Sequence, residues 1–330
     1  MLKSLAACAV ALMALDASPA AARTETVTIH GAALEGNLEG NAVDRAAYVF
    51  LPPSYDASSG KRYPVVYFLH GYFATPKMYD ELVKFQEAVD AAAAAGNELI
   101  VVVPDAHTKF KGAMYGASPT TGDFPAYVAR DVVAYVDAHF RTLARPASRG
   151  LAGHSMGGYG TLRTAMSHPG VFSSIFAMAP CCLSPTSTTV EQLQAAQALT
   201  PEKIAGGGFG DLAQAAMLAA WAPDPANPPH FFMTGIKDGK VDPLVIARLQ
   251  ANSLIAVLPQ HLPALKALEA VHVEVGDKDS LLRDDTAMHE ELGRYGVAHS
   301  WTVFEGDHGN RVAARFRSDL LPFFGEHLDR

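Results

Sequence analysis

The stretch GLAGHSMGGYG, Gly150 to Gly160, decides how this chain is read. One serine, Ser155, stands among glycines, directly after a short apolar run and before a stretch with helical spacing. A G-x-S-x-G match alone is a weak signal in a glycine-rich chain. Two readings are open: a nucleophile on a strained turn, or an incidental serine in a Gly-rich connection. The glycines have a physical job under the first. A sharp strand-to-helix turn needs an unfavourable backbone at the serine, and side chains at 153 and 157 would collide with the neighbouring strand and helix. Gly158 permits the same close approach.

The flanking sequence supplies the context. YPVVYFLHG (63–71) and NELIVVVPDA (97–106) are continuous apolar runs, the pattern of strands covered on both faces. Between them KMYDELVKFQEAVDAAAAAG (77–96) has helical spacing and a terminal glycine. AYVARDVVAYVDAHF (126–140) predicts an amphipathic helix, SRGLAGHS (148–155) a strand, YGTLRTAMSHPG (159–170) a helix and VFSSIFAMAP (171–180) a strand. Strand alternating with helix at this spacing means βαβ units and a mostly parallel sheet with helices on both faces. Upstream, TETVTIH and DRAAYVFLPPSY alternate polar and apolar residues and read as edge strands. Residues 183 to about 269 break the rhythm with a triple glycine (206–208) and a proline cluster, predicting a lid-like insertion folded over the carboxyl edge of the sheet. The alternation resumes with strands at 270–279 and 298–309 and helices at 281–296 and 310–324.

Composition narrows the class. With 330 residues, 49% hydrophobic, the chain buries a sizeable core, and its net charge of −8 leaves no basic footprint for nucleic acid. The N-terminus MLKSLAACAVALMALDASPAAAR carries Lys3, an apolar run from Leu5 to Leu15 and small residues ending at Ala22, which reads as an export leader (1–22) cleaved before Arg23, with the mature protein periplasmic or secreted. Leu5-Ala6-Ala7-Cys8 resembles a lipoprotein box with too few residues before it, and no stretch is long and apolar enough to span a bilayer. Two cysteines remain in the mature chain, Cys181 and Cys182. As neighbours they fit disulfide geometry poorly and read as buried thiols. No Cys/His spacing marks a zinc site.

Ser155 lies at the carboxyl edge of the predicted sheet, where such folds bind ligands. A serine hydroxyl needs a base, and the base needs a third group to hold its tautomer. The chain offers these in the order Ser155, then Asp277 or Asp279 after a later strand, then His308 in the glycine-bounded loop EGDHGN after the last. The period of two along a strand does not separate the two aspartates. The oxyanion donors expected of this architecture are the N–H of Met156 and, from the loop in FLHGYFA, the N–H of Tyr72. His70 reads as shaping that loop and His154 as a packing residue. Trp221 and the Phe231-Phe232 pair are candidates either to wall the pocket or to pack the insertion on the sheet.

These residues resemble the putative-esterase branch of the α/β-hydrolases, which includes esterase D-like enzymes, feruloyl esterases, enterochelin esterases and mycolyltransferases. The resemblance spans about residues 45 to 325 and rests on LPPSY…YPVVYFLHGY, GLAGHSMGGYGTLRTAMSHPGVF, VEVGDKDSLL and FEGDHGNR. It implies the α/β-hydrolase fold, Ser155 as nucleophile, Asp279 as acid at the G-x-x-D position counted from Gly276, His308 as base, and Tyr72 and Met156 as oxyanion donors. It also implies that Tyr115, in YGASPTTGDFPAYV, lines the pocket. The chain departs from the family at Gly306-Asp307-His308, where G-G-H is common, and in its longer insertion. An export leader also fits poorly with an intracellular glutathione thioester. The expectation is an exported serine carboxylesterase that acts on a small-molecule ester without metal or organic cofactor. An acyltransferase with the same triad is the alternative, and a non-catalytic binding protein on the same scaffold the rival from another class.

Overall fold

The computed structural model describes residues 23–330; the leader reading at 1–22 lies outside the described residues. Eight strands form the central sheet: β1 (Arg23–His30), β2 (Asp44–Leu51), β3 (Val65–Leu69), β4 (Ile100–Pro104), β5 (Arg149–His154), β6 (Ser174–Met178), β7 (Ala270–Gly276) and β8 (Ser300–Phe304). Their order is β1-β2-β4-β3-β5-β6-β7-β8. β2 runs antiparallel to both β1 and β4, and every pairing from β4 to β8 is parallel. The sheet is therefore mostly parallel, with helices on both faces, as in the α/β-hydrolase fold.

Side chains alternate across each strand, so the apolar runs feed two cores. Val65, Tyr67, Leu69, Leu151, Ile175 and Val273 point to one face. Val66, Phe68, Val101, Ala152, Phe176 and Met178 point to the other. The second face is covered by α1 (Pro76–Val83), α2 (Phe85–Ala94) and a C-terminal helix whose Phe316 ring meets Phe68 and Phe85 edge-on. The first is covered by the helical run α3 (124–139), by α4 (Met156–Ser167) and by the segment between β6 and β7. That segment, 183–269, contributes α5 (Val190–Gln197), α6 (Pro201–Gly206), α7 (Phe209–Trp221) and α8 (Pro243–Gln250). After β7, α9 (Leu282–Arg294) returns the chain to β8, and α10 (312–327) closes it.

Two local expectations are corrected. β2 is not an edge strand, because β1 pairs with it along its full length and takes the edge. Within β2 the charged Arg45 is buried, its guanidinium 2.6 Å from the Asp105 carboxylate. The helix read over 77–96 is two helices, broken at Lys84, whose φ of 56° is left-handed. No glycine or proline announces this break. Asp80 caps it, its carbonyl accepting the Lys84 N–H at 2.8 Å.

A left-handed lysine on an exposed turn carries about 1 kcal/mol of backbone cost that glycine lacks. Lys84→Gly is therefore expected to raise stability in urea denaturation by roughly 0.5–1 kcal/mol. A loss of stability would contradict this reading of the break.

Candidate active site

β5 ends at His154, and α4 begins at Met156, so Ser155 alone makes the turn. Its φ of 59° and ψ of −117° lie in a region that L-residues avoid, at a cost of order 1–3 kcal/mol. Neighbouring bonds hold it there. The Ser155 N–H donates to Met178 O at 2.9 Å, and its carbonyl accepts from Tyr159 N at 3.0 Å and Cys181 N at 3.1 Å. The glycines allow the packing. A Cβ on Gly157 would overlap the Leu69 carbonyl, one on Gly153 would overlap the Gly157 carbonyl, and one on Gly158 would press on Met178 O at 2.9 Å.

The loops after β7 and β8 reach the same place. His308 Nε2 stands 2.9 Å from Ser155 Oγ, and His308 Nδ1 stands 2.7 Å from Asp279 Oδ2. Asp279 is buried, and its other oxygen accepts the Leu281 N–H at 2.9 Å. Asp277 points elsewhere, accepting the Gly306 N–H at 2.9 Å and tying the end of β7 to the His308 loop. Gly276 has no room for a side chain because Gly306 O crosses it. Asp307, where the sequence departs from G-G-H, accepts the N–H groups of Gly309 and Asn310 at 2.9 Å each, and those two bonds hold its carboxyl below the usual range. The aspartate thus folds the loop that presents His308.

His154 does more than pack. Its Nε2 is 2.7 Å from the His308 carbonyl and its Nδ1 2.7 Å from the Tyr79 hydroxyl. A carbonyl only accepts, so Nε2 carries the proton and Nδ1 accepts from Tyr79. Burial, then the nearby His308, push its pKa down to about 3, so the ring is neutral. Sequence reading missed this link, because nothing local shows that a histidine beside the elbow faces a loop 154 positions away. His70 shapes its turn as expected: Nδ1–H donates to Gly71 O at 2.9 Å, while Nε2 accepts from Ala106 N at 2.9 Å.

That turn brings Gly71 and Tyr72 beside the serine. A Cβ on Gly71 would stand 3.5 Å from Ser155 Cβ, and the Tyr72 ring and Met156 sulfur meet over Gly112. Among the described residues, no carbonyl or side chain takes up the N–H of Tyr72 or of Met156.

A cavity of about 300 Å³ opens beside Ser155 and His308, lined by Tyr72, Met114, Cys181, Cys182, Phe209, Ala213, Met217, Ser280 and Leu281. Phe209, Ala213 and Met217 are one stripe of α7 at helical spacing, and the exposed Phe209 ring meets Tyr72 edge-on at 5.0 Å. Tyr115 and Trp221 do not line this cavity. Tyr115 is fully buried with its ring against Gly160 of α4, and Trp221 packs on Tyr159 with ring centroids 5.4 Å apart. Both pack against α4, whereas the buried Phe232, stacked on His230, packs on Phe110 with ring centroids 6.0 Å apart. Cys181 and Cys182 are free and half-buried, sulfurs 2.7 Å apart. Among the described residues, no group of three His, Cys, Asp or Glu side chains converges to hold a metal ion.

The family described as "Putative esterase" matches residues 42–326. S-formylglutathione hydrolase of Mus musculus is 29% identical over 153 residues, 41% of this chain and 51% of that protein. Esterase Rv1288 of Mycobacterium tuberculosis is 32% identical over 127 residues, 38% of this chain and 27% of that protein. The chain thus spans about half the length, or less, of the curated relatives it matches. Among solved structures, a ferulic acid esterase superposes with a TM-score of 0.66 at 20% identity, covering 93% of this chain and 99% of the other. An S-formylglutathione hydrolase from Agrobacterium tumefaciens superposes at 0.62 and 18%, covering 95% and 98%.

Behind Asp279, at the start of α9, Asp285 is fully buried, and neither carboxyl oxygen has a hydrogen-bond partner. Burial first, then the charges of Asp279 and Asp284, push its pKa from 3.8 up to about 9. Between those values the folded chain holds a proton that the unfolded chain has released, so this group's contribution falls as pH rises. Asp285→Asn, neutral throughout, should raise Tm by about 3 °C or more at pH 8, with the gap closing toward pH 4. Equal Tm values at pH 8 would contradict the buried neutral acid.

Proposed function

The chain belongs to the putative esterase family, and we propose that it is a serine hydrolase acting on ester bonds, an exported carboxylesterase working through an acyl-enzyme on Ser155. The observation that carries this is His308 bridging Ser155 at 2.9 Å and Asp279 at 2.7 Å. His308 Nε2 takes the hydroxyl proton as Ser155 Oγ attacks the ester carbonyl, and the imidazolium that forms is stabilised by the buried Asp279. The N–H groups of Tyr72 and Met156 receive the developing oxyanion, the second from the open N-terminus of α4. His308 then protonates the leaving alcohol and, in the second half, activates the water that releases the acid. The strained serine backbone keeps Oγ at this point without reorganisation during the reaction.

The cavity supports a substrate class. At about 300 Å³, walled by Met114, Met217, Leu281 and Phe209, it suits an apolar acyl or aryl group of modest size. The substrate is then a small-molecule ester with a short acyl or aryl group on that side. The names of the relatives, S-formylglutathione hydrolase and ferulic acid esterase, support a small acyl group on a larger carrier without choosing the carrier. Export rests on the leader-like residues 1–22 and predicts Arg23 as the N-terminus of the mature chain by intact mass.

The two aspartates of the β7 exit separate the acid from the scaffold. Asp279→Asn should lower kcat about 10³- to 10⁴-fold by favouring the wrong imidazole tautomer, with Asp277→Asn costing far less. A crippled Asp277→Asn beside an active Asp279→Asn would overturn the triad. Phe209→Ala should shift the preferred acyl length upward in a graded ester panel, since it removes the exposed wall of the cavity. An unchanged length profile would take the α7 stripe out of the pocket.

A further inference from the structure

Two thiols line the cavity beside Ser155, and the hydrolytic chemistry uses neither. Cys181 and Cys182 are adjacent, half-buried, and hold their sulfurs 2.7 Å apart. The chain around them is pinned. Ala179 N donates to Glu274 O at 2.7 Å, Cys181 N to Ser155 O at 3.1 Å, and Leu183 O accepts from Ser253 Oγ at 2.7 Å and Ile255 N at 3.1 Å. Cys182 itself is held at a φ of 63°. The thiols therefore need no loop rearrangement to meet, and the cavity gives a small reagent access to them.

We propose that Cys181 and Cys182 are a reversible dithiol–disulfide site whose closure reshapes the wall of the ester pocket. The partner class is a small disulfide. Cys182 sulfur attacks one sulfur of RSSR, forming a mixed disulfide and expelling RS⁻. Cys181 sulfur then attacks the Cys182 sulfur, closing the bond and expelling the second RS⁻; the two thiol protons end on the two RSH. The cysteine pair loses two electrons and the small disulfide gains them. Cys181 suits the resolving role: the neighbouring Cys182 thiol and burial push its own thiol pKa up, making it a poor first attacker, while proximity gives it a high effective concentration.

Reversibility follows from adjacency. Neighbouring Cα atoms are about 3.8 Å apart, closer than the usual disulfide span, so a bond made there is strained and easily reduced. Strained disulfides of this kind are the labile, regulatory ones. Closure also turns the 181–182 peptide, directly beside the Cys181 N–H that holds the Ser155 carbonyl. One reaction thus moves both the pocket wall and a support of the proposed nucleophile. The effect on rate rests on the esterase reading above, whereas bond formation does not.

The test incubates the full mature chain in buffers of 2-hydroxyethyl disulfide and 2-mercaptoethanol at graded ratios. Intact mass, a peptide map over 181–182 and short-chain ester hydrolysis are read on the same samples. The expected result is a loss of two hydrogen masses on that peptide toward the oxidising end, with a fall of about tenfold in hydrolysis and recovery of both on reduction. Cys182→Ser should show a rate that is the same at both ends of the series, whatever its basal value, and Cys181→Ser should stop at the mixed disulfide on Cys182 without ever losing two hydrogen masses. A pair that stays a dithiol throughout, one that stops at the mixed disulfide, or one that closes without changing the rate would each overturn the proposal. Failure of the fully reduced wild-type chain to hydrolyse any ester would instead refute the esterase reading, since the mass change is read without it.

Discussion

The structure depends on one constraint, the conformation of a single residue at the tip of β5. Ser155 occupies a φ of 59° with no glycine to ease it, and nothing in its own chemistry favours that state. It persists because the glycines on either side let Leu69 O and Met178 O approach to distances a Cβ would forbid. The cost of order 1–3 kcal/mol is offset by the packing of β3, β5, β6 and α4 around the turn. In return, Oγ projects clear of the sheet edge while the first N–H groups of α4 stay open beside it.

The other loops are held to that point by polar contacts that are mutually consistent. Asp277 fastens the β7 exit to the β8 exit, Asp307 folds the loop bearing His308, and a neutral His154 joins the carbonyl of His308 to the Tyr79 hydroxyl. His154 must be neutral for this, since its Nδ1 accepts and its Nε2 donates. Burial supplies that neutrality without a charge beside the base. Three segments distant in sequence are thereby fixed relative to one reacting position.

Much of this was legible in the sequence because it follows from local rules. Continuous apolar runs mark strands buried on both faces, and the alternation with amphipathic stretches gives the parallel sheet. Ser155 is marked by glycines that sit where a backbone must pass closely, and His308 by its glycine-bounded loop after the last strand. Other features depend on contacts that no local pattern encodes. Arg45 looks solvent-exposed until its partner Asp105, sixty positions on, is brought beside it. Lys84 breaks a helix without glycine or proline because tertiary packing overrides propensity. The resemblance implied Tyr115 at the pocket, and Trp221 stood open between walling it and packing the insertion; burial against α4 gains both rings more apolar contact than exposure in the cavity. Met114 and Leu281, in irregular segments, carry no periodicity to betray them. The α7 stripe Phe209, Ala213 and Met217 does have helical spacing and was readable in principle, but the segment's glycines and prolines masked it.

The central claim is that the strained Ser155 is the nucleophile. A fluorophosphonate ester, which traps an activated serine as a stable adduct, tests it most directly when the adduct is located by peptide mass. The account predicts one phosphonyl group per chain, on Ser155 within GHSMGG, and none on a folded Ser155→Ala chain. Labelling at another serine, or a folded wild-type chain that takes no label, would contradict it.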